Sequence, residues 1–295
     1  MNTITFKCET VTPMFMAGAD GKKPELRAPS IKGVLRFWWR AINGYLELKD
    51  LREREAAIFG GSGKEQGRSK VIINIDQTNL DYEDYNPLPH RKNSNFKLKA
   101  FKSGQGFSVN LSLISDCIKV KENETFTFDN LCNLFIITTI LGGFGKRSRR
   151  GFGSIRIIEP QKNVREINLS YILELLNSFG YIKYKIRDSE IYSDLTLNKG
   201  SLDYPYIKKI QIGRKYKTYN DLLFKIGMAT HDFCDKILAS STSTGRMASP
   251  VYISIIKNAD GYYPIITTLN TTVDKPLANI SYSLKLQDKL KEAIL

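Results

Sequence analysis

Hydrophobic and polar residues recur along the first half of the chain with two different periods. A period of two, as in Ile4, Phe6 and Cys8, predicts a β-strand. A period near 3.6 predicts an amphipathic helix that opens after Pro29, with Ser30 as its N-cap. The predicted elements are a strand, two helices, two strands, a helix and a strand, at residues 3–12, 30–46, 49–59, 70–75, 107–114, 128–141 and 154–158. The stretch between the strands at 70–75 and 107–114 is expected to be an inserted loop or hairpin. The first helix, the last helix and the four strands together follow the order of a split βαβ, or ferredoxin-like, unit.

The second half of the chain shows a similar mixture of periods after a linker at residues 160–168. Its predicted elements are a helix, two strands, a helix, two strands and a short helix, at residues 171–179, 181–186, 208–212, 220–238, 251–256, 263–269 and 284–294. Helices do not regularly follow strands, which favours an α+β fold over a doubly wound parallel sheet. A length of 295 residues fits two domains of ~150 residues that meet near residue 160.

The charge balance of the chain indicates the class of its partner. It carries 44 Lys and Arg residues against 30 Asp and Glu residues, a formal net charge of +14. This excess repels itself unless an anion neutralises it, so nucleic acid is the first partner to expect. Because 42% of the residues are hydrophobic, the chain is not a disordered basic tail.

Several kinds of protein are disfavoured by the sequence. Four scattered cysteines without a C-x-x-C pair, and only two histidines, do not predict a zinc module or any other metal site. The segment GGSGK at residues 60–64 lacks the first glycine and the hydroxyl residue of a Walker A motif, so no nucleotide cofactor is expected. The first ten residues lack the apolar region of a signal peptide, and no apolar run approaches the ~20 residues that cross a bilayer. A cytoplasmic protein without cofactors is expected.

The first predicted helix carries a row of cations. Lys32, Arg36 and Arg40 are spaced by four residues and therefore share one face, where each like-charge pair costs roughly 0.2–0.5 kcal/mol. Three further cations precede the helix, namely Lys22, Lys23 and Arg27. Either an RNA backbone neutralises this face, or acidic residues from elsewhere in the fold do so.

The only two tryptophans, Trp38 and Trp39, are adjacent on the same helix. Neighbouring residues of a helix point about 100° apart, so at most one of the two is expected at the centre of the core. The other is either an edge residue of the core or a platform on which an unpaired base stacks.

Residues 142–153 form a loop with five glycines, four cations and no acid. Its glycines, which include Gly143, Gly145 and Gly151, let backbone amides approach a phosphate chain closely. Its cations are Lys146, Arg147, Arg149 and Arg150. A later segment, residues 242–250, combines hydroxyl residues with Arg246 and could bind one phosphate or one base edge. A plain surface loop is the alternative there.

These segments together carry a resemblance to a known family. Residues 12–40, with TPMF and the run PELRAPSIKGVLRFWWR, resemble the opening of the first-subunit family of the type III-B CRISPR effector, the Cmr complex. The loop GGFGKRSRRGFG is similar to the glycine-rich loop of the RAMP superfamily, to which that family belongs, and RMASP at residues 246–250 resembles a shorter motif of the family.

The resemblance implies a fold and a function. It implies two ferredoxin-like (RRM-related) domains, at residues 1–160 and 161–295, with inserted loops and the glycine-rich loop. It also implies a non-catalytic RNA-binding subunit that acts near the 3′ region of the guide RNA and helps bind single-stranded target RNA in antiviral defence. The expected partners are guide RNA, target RNA and other Cmr subunits. The expected RNA-binding residues are Lys22, Lys23, Arg27, Lys32, Arg36, Trp38, Trp39, Arg40, Gly143, Gly145, Lys146, Arg147, Arg149, Arg150, Gly151 and Arg246.

Two other functions stay open. RAMP proteins that process guide precursors are metal-independent endoribonucleases, and His90 or His231 would be the acid or base of such an enzyme. Neither histidine has a titratable partner at a convincing spacing in the sequence, and no catalytic residue is assigned. The carboxylates at residues 81–84 match no two-metal nuclease. A purely structural subunit, whose charge faces other proteins, is the remaining alternative; RNA binding with a steep salt dependence would argue against it.

Overall fold

A computed structural model describes residues 1–63, 66–76, 80–91, 95–163, 165–179, 184–194, 204–233, 248–270, 288–289 and 291–295. Within these ranges, the strands are β1 Asn2–Thr10, β2 Val71–Asp76, β3 Tyr82–Tyr85, β4 Leu98–Phe101, β5 Gly106–Leu113, β6 Cys117–Lys121, β7 Glu124–Thr127, β8 Ile155–Glu159, β9 Tyr184–Arg187, β10 Glu190–Ser193, β11 Ile207–Ile212, β12 Val251–Asn258 and β13 Gly261–Leu269. The α-helices are α1 Ala28–Asn43, α2 Leu48–Phe59, α3 Phe128–Leu141, α4 Leu169–Asn177 and α5 Tyr219–Asp232. No described helix has both the length and the apolar character to cross a membrane.

The first sheet has four antiparallel strands in the order β2-β5-β1-β8. Phe6 and Cys8 of β1 point to the buried face, as the alternation of the sequence predicts. Phe6 stacks against Phe135 of α3, with ring centroids 4.9 Å apart, so α3 covers this face. The opposite face of β1 presents exposed Thr5 and Lys7.

The second sheet has five antiparallel strands in the order β12-β13-β11-β10-β9. The helix α3 packs against β12 and β13 of this sheet as well as against β5 and β8 of the first. Almost every residue of α3 after its first turn is buried, because a helix between two sheets has no solvent face. The antiparallel α+β fold is thus confirmed, while the boundary near residue 160 stays a prediction because the larger core draws on both halves.

The structure differs from one sequence-based expectation and adds detail to others. Helix α1 begins at Ala28 rather than after Ser30; Arg27 occupies the N-cap without a side-chain cap, and Pro29 fits the first turn because its φ is already helical. The stretch between β2 and β5 contains the hairpin β3-β4, and a second hairpin, β6-β7, leads into α3. Parts of the predicted strand at residues 181–186 and of the predicted helices at 220–238 and 284–294 lie outside the described residues.

Candidate nucleic-acid interface

The cationic face of α1 packs against α2. Nε of Arg36 lies 2.6 Å from Oε1 of Glu55, and Nη1 of Arg40 lies 2.7 Å from the same oxygen. The Glu55 side chain is only 8% exposed, so this ion pair is sheltered from water. An acidic neighbour from another helix therefore offsets the repulsion within the row, which was the alternative that the sequence left open.

The other contacts of this face are also within the protein. Nζ of Lys32 donates to Oγ of Ser69 at 2.8 Å, and burial, with the adjacent Arg36 charge, lowers the pKa of Lys32. Nε of Arg40 donates to the Tyr204 hydroxyl at 2.7 Å, and the guanidinium lies over the Tyr204 ring. The row keeps excess positive charge, since two guanidiniums and an ammonium face one carboxylate.

Both tryptophans belong to the core, so the expectation for this pair was wrong. Trp38 is 0% exposed and Trp39 is 2% exposed. Trp38 faces Tyr252 of β12 at 5.0 Å between ring centroids, which joins α1 to the second sheet. A helix with a single buried face would bury only one of the two, but α1 packs against α2, α3 and β2. Neither indole offers a face on which a base could stack.

The backbone of the glycine-rich loop is held by the protein itself. The amide of Lys146 donates to the Phe15 carbonyl at 2.8 Å, that of Gly151 to Ile253 at 2.8 Å, and that of Gly153 to Pro13 at 2.9 Å. These amides are therefore not available for phosphate, which corrects the expectation for this part of the loop. The loop instead ties the segment after β1 to β12 in the second sheet.

The close approach of these segments requires glycine at two positions. Gly145 and Gly153 have φ values of +86° and +69°, which residues with a side chain rarely adopt. A Cβ on Gly145 would overlap the Phe15 carbonyl, and one on Gly153 would overlap the Phe144 carbonyl. Gly143 is similarly tight against the backbone of Phe152.

Two arginines of the loop contact the second sheet. The guanidinium of Arg149 lies over the rings of Phe37 and Tyr252, at 5.6 and 5.1 Å, and donates to the Ser249 carbonyl. Arg150 donates to the Val251 carbonyl at 3.3 Å. Both arginines therefore help to hold the loop against the second sheet, a role that their charge alone did not indicate. Arg147 is half-buried in a left-handed conformation, and Arg246 lies outside the described residues.

Four lysines from three separate segments of the chain surround a cavity of about 290 Å³. We call it the lysine pocket; it is lined by Phe15, Ala17, Gly21, Lys22, Asp84, Lys97, Leu98, Lys99 and Lys146. Lys22 and Lys146 were expected RNA contacts, whereas Lys97 and Lys99 come from the β3-β4 hairpin. The cations of this hairpin indicate an RNA site only once the tertiary structure places them beside the glycine-rich loop. Of the nearby predicted residues, Lys23 is exposed and Arg27 lies 3.8 Å from Glu25.

The two histidines, which lie far apart in sequence, meet in the structure. The rings of His90, beyond β3, and His231, on α5, lie 4.9 Å apart, and Nδ1 of His231 lies 3.1 Å from Asp232. Burial, and then the nearby His231, lowers the pKa of His90. The spacing of the two histidines along the sequence did not indicate this contact, because only the fold brings residues 90 and 231 together. Among the described residues, no group of three or more His, Cys, Asp or Glu side chains could hold a metal ion.

The fold and this interface define the class of the chain as a basic α+β protein with two antiparallel sheets joined by a glycine-rich loop. The chain belongs to the RAMP superfamily, whose family profile matches residues 7–156. It is 29% identical over 187 residues to the CRISPR system Cmr subunit Cmr1-2 of Pyrococcus furiosus, an alignment that covers 52% of this chain and 93% of that protein. It is 31% identical over 181 residues to subunit Cmr1-1 of the same organism, covering 55% of this chain but 49% of that protein.

Solved structures share the architecture of the whole chain. Apo Cmr1 from Pyrococcus furiosus matches with a TM-score of 0.61 and 18% identity, covering 99% of this chain and 97% of the other. A chain of the type III-B Cmr-beta complex bound to cognate target RNA and AMPPnP matches with a TM-score of 0.58 and 13% identity, covering 99% of both chains. At these identities the likeness shows the fold alone. Together with the curated relatives, it confirms the resemblance found in the sequence.

Proposed function

We propose that this chain is a non-catalytic RNA-binding subunit of a type III-B CRISPR (Cmr) ribonucleoprotein. In this role it acts near the 3′ region of the guide RNA and helps bind single-stranded target RNA for antiviral defence, together with other Cmr subunits. The observation that carries the proposal is the net charge of +14 on a chain of the RAMP superfamily, and the lysine pocket is one concave basic site on its surface. The names of the curated relatives, and a similar fold in a complex bound to target RNA, support it.

We also propose that each half of the chain is a ferredoxin-like domain, at residues 1–160 and 161–295. In the first sheet, β5 lies between β1 and β2, the two strands that α1 and α2 connect. In the second sheet, β13 lies between β11 and β12, which α5 connects. A split βαβ unit in each half supports two related domains.

The open face of the first sheet favours RNA contacts elsewhere. RRM-type sheets bind RNA by stacking bases on aromatic side chains. The outer face of β1 and β5 carries no aromatic side chain, and several of its polar groups bond to one another: Thr5 donates to Asn110 at 2.6 Å, and the Thr3 and Ser112 hydroxyls lie 2.8 Å apart. The cationic loops are therefore the better RNA-binding surface.

The salt dependence of RNA binding by the full chain tests the proposed function. Single-stranded RNA should bind with an affinity that falls steeply with salt. The variant Lys32→Gln/Arg36→Gln/Arg40→Gln should flatten the slope of log K against log salt by ~0.7 for each phosphate contact that it removes. Glu55→Gln should make this slope steeper, because it leaves Arg36 and Arg40 without their carboxylate. Fluorescence anisotropy over a salt series measures both.

The control for Glu55→Gln is Glu174→Gln. Glu174 lies on α4, and its carboxylate pairs with Arg165 at 3.0 Å. This substitution should leave the slope unchanged. If the wild-type chain binds no RNA, the proposed function is wrong. If the wild type binds but the helix variants, shown to be folded by circular dichroism, leave affinity and slope unchanged, then the α1 face serves only its internal ion pair.

A metal-independent endoribonuclease is the second candidate, and the contact between His90 and His231 is the observation that favours it. We expect His90→Ala and His231→Ala to support assembly and target cleavage at near wild-type rates in a reconstituted complex, because the pair joins the β3-β4 hairpin to α5 rather than lining the lysine pocket. Single-turnover cleavage of target RNA and of a guide precursor, with EDTA present for the precursor, measures this. Precursor cleavage by the wild-type chain that disappears in both variants would establish the enzyme instead.

A further inference from the structure

We infer that the lysine pocket binds one nucleotide of a single-stranded RNA, with the phosphate between Lys22, Lys97 and Lys146 and the sugar or base over an apolar floor. This inference rests on the proposed function and names the site within it. Four observations carry it: the construction of the pocket, its excess of positive charge, its size and the character of its floor.

The pocket is built where three separate segments are joined by backbone hydrogen bonds. The amide of Met14 donates to the Phe101 carbonyl at 3.0 Å and Phe101 donates back to Met14 at 3.0 Å, which fixes the β3-β4 hairpin. The amide of Lys146 donates to Phe15 at 2.8 Å, which fixes the glycine-rich loop. Ala17 pairs with Pro24 and closes the turn that carries Lys22. The lysines are thus presented by a preformed backbone.

The pocket keeps an excess of positive charge, because its four lysines face only two nearby carboxylates among the described residues, Asp84 and Asp20. Lys99 lies 3.6 Å from the carboxylate of Asp84, which is the only acid among the described residues that line the cavity. Within the part of the chain that the structure describes, Lys22, Lys97 and Lys146 form no ion pair, and all three side chains are exposed. Cations held together around a concavity repel one another and raise the local potential, and an anion there relieves that repulsion.

The size and floor of the pocket select the ligand. A volume of about 290 Å³ is just below the ~300–1,000 Å³ typical of small-ligand sites, which suits a single nucleotide. Phe15, Ala17 and Leu98 supply an apolar floor below the lysine rim. Ammonium groups bind phosphate as point charges and do not read bases, so the site should accept any sequence.

The test replaces the three exposed lysines and compares the product with a matched loss of charge. The variant Lys22→Gln/Lys97→Gln/Lys146→Gln keeps the Lys99–Asp84 pair. The control, Lys119→Gln/Lys208→Gln/Lys217→Gln, removes three exposed lysines that do not line the cavity. With fluorescein-labelled oligo(U) RNA as the probe, the pocket variant should bind roughly tenfold more weakly than the control, with a salt slope shallower by about two units.

The outcomes separate this inference from the function on which it rests. If wild type and control bind oligo(U) and the pocket variant binds equally well, the inference is wrong while the proposed function stands. If the wild-type chain binds no oligo(U), the function itself fails. If the pocket variant binds RNA normally but loses another Cmr subunit in a reconstituted complex, the pocket is a protein interface and the inference is wrong.

A second measurement locates the RNA directly on the wild-type chain. Oligo(U) that carries 4-thiouridine should crosslink to peptides from residues 14–24, 95–101 or 143–151, and excess unlabelled oligo(U) should compete away that crosslink. Crosslinks confined to other peptides would place the RNA elsewhere and overturn the inference.

Discussion

Replacing Trp38 by Ala should lower the free energy of unfolding by about 3–5 kcal/mol, the usual cost of deleting a large aromatic side chain from a core. Trp38 is fully buried, and its ring contacts Phe37 at 5.2 Å and Tyr252 at 5.0 Å between centroids. The cavity would open between α1 and the second sheet, where the two halves of the chain meet. Denaturant unfolding, read as a shift of the midpoint at constant slope, measures the loss.

The matched variant Trp38→Phe keeps an aromatic ring between Phe37 and Tyr252 and should cost less than Trp38→Ala. RNA affinity, corrected for the folded fraction, should be close to wild type in Trp38→Phe. A Trp38→Ala protein of normal stability that binds RNA weakly would contradict the buried role and restore the stacking interpretation.

Replacing Gly145 by Ala should destabilise the chain by roughly 2–3 kcal/mol. The left-handed conformation at φ +86° costs a side-chain-bearing residue about 1–2 kcal/mol. The new Cβ would also overlap the Phe15 carbonyl and weaken the hydrogen bond from Lys146, worth about 1 kcal/mol. Because that hydrogen bond positions Lys146, RNA affinity should fall together with stability.

The control is Gly33→Ala on the exposed face of α1. No atom lies within 4 Å of its would-be Cβ, and alanine is preferred to glycine in a helix by about 1 kcal/mol, so this change should stabilise the chain. Thermal and denaturant unfolding of both variants compare a tight glycine with an unconstrained one. Equal effects of the two substitutions would show that Gly145 is not required for the approach of the loop.

Local patterns in the sequence were sufficient for most elements of the first half. The alternation in β1 and the helical period in α1 and α2 each reflect a face turned to a core, and such a face repeats over neighbouring residues. Helix α3 was predicted from its apolar run, which fits a helix that is buried on all sides. The motif at residues 12–40 and the glycine-rich loop were sufficient for the superfamily. A hairpin between β2 and β5 was one of the two alternatives that the sequence left open, and the structure shows it as β3-β4. The hairpin β6-β7 was not found, because its strands are only four or five residues long and about half of their positions are exposed.

The sequence by itself determined which residues are cationic, which segments are helical or extended, and the family to which the chain belongs. Only the tertiary structure decided what each charge meets: Glu55 neutralises Arg36 and Arg40, Arg149 lies between Phe37 and Tyr252, and Lys97 joins Lys22 and Lys146. The physical reason is the distance along the chain between the residues that interact. Periodicity reflects contacts between residues a few positions apart. The ion pairs, the burial of both tryptophans and the cavity depend on how distant segments pack, which no local pattern encodes.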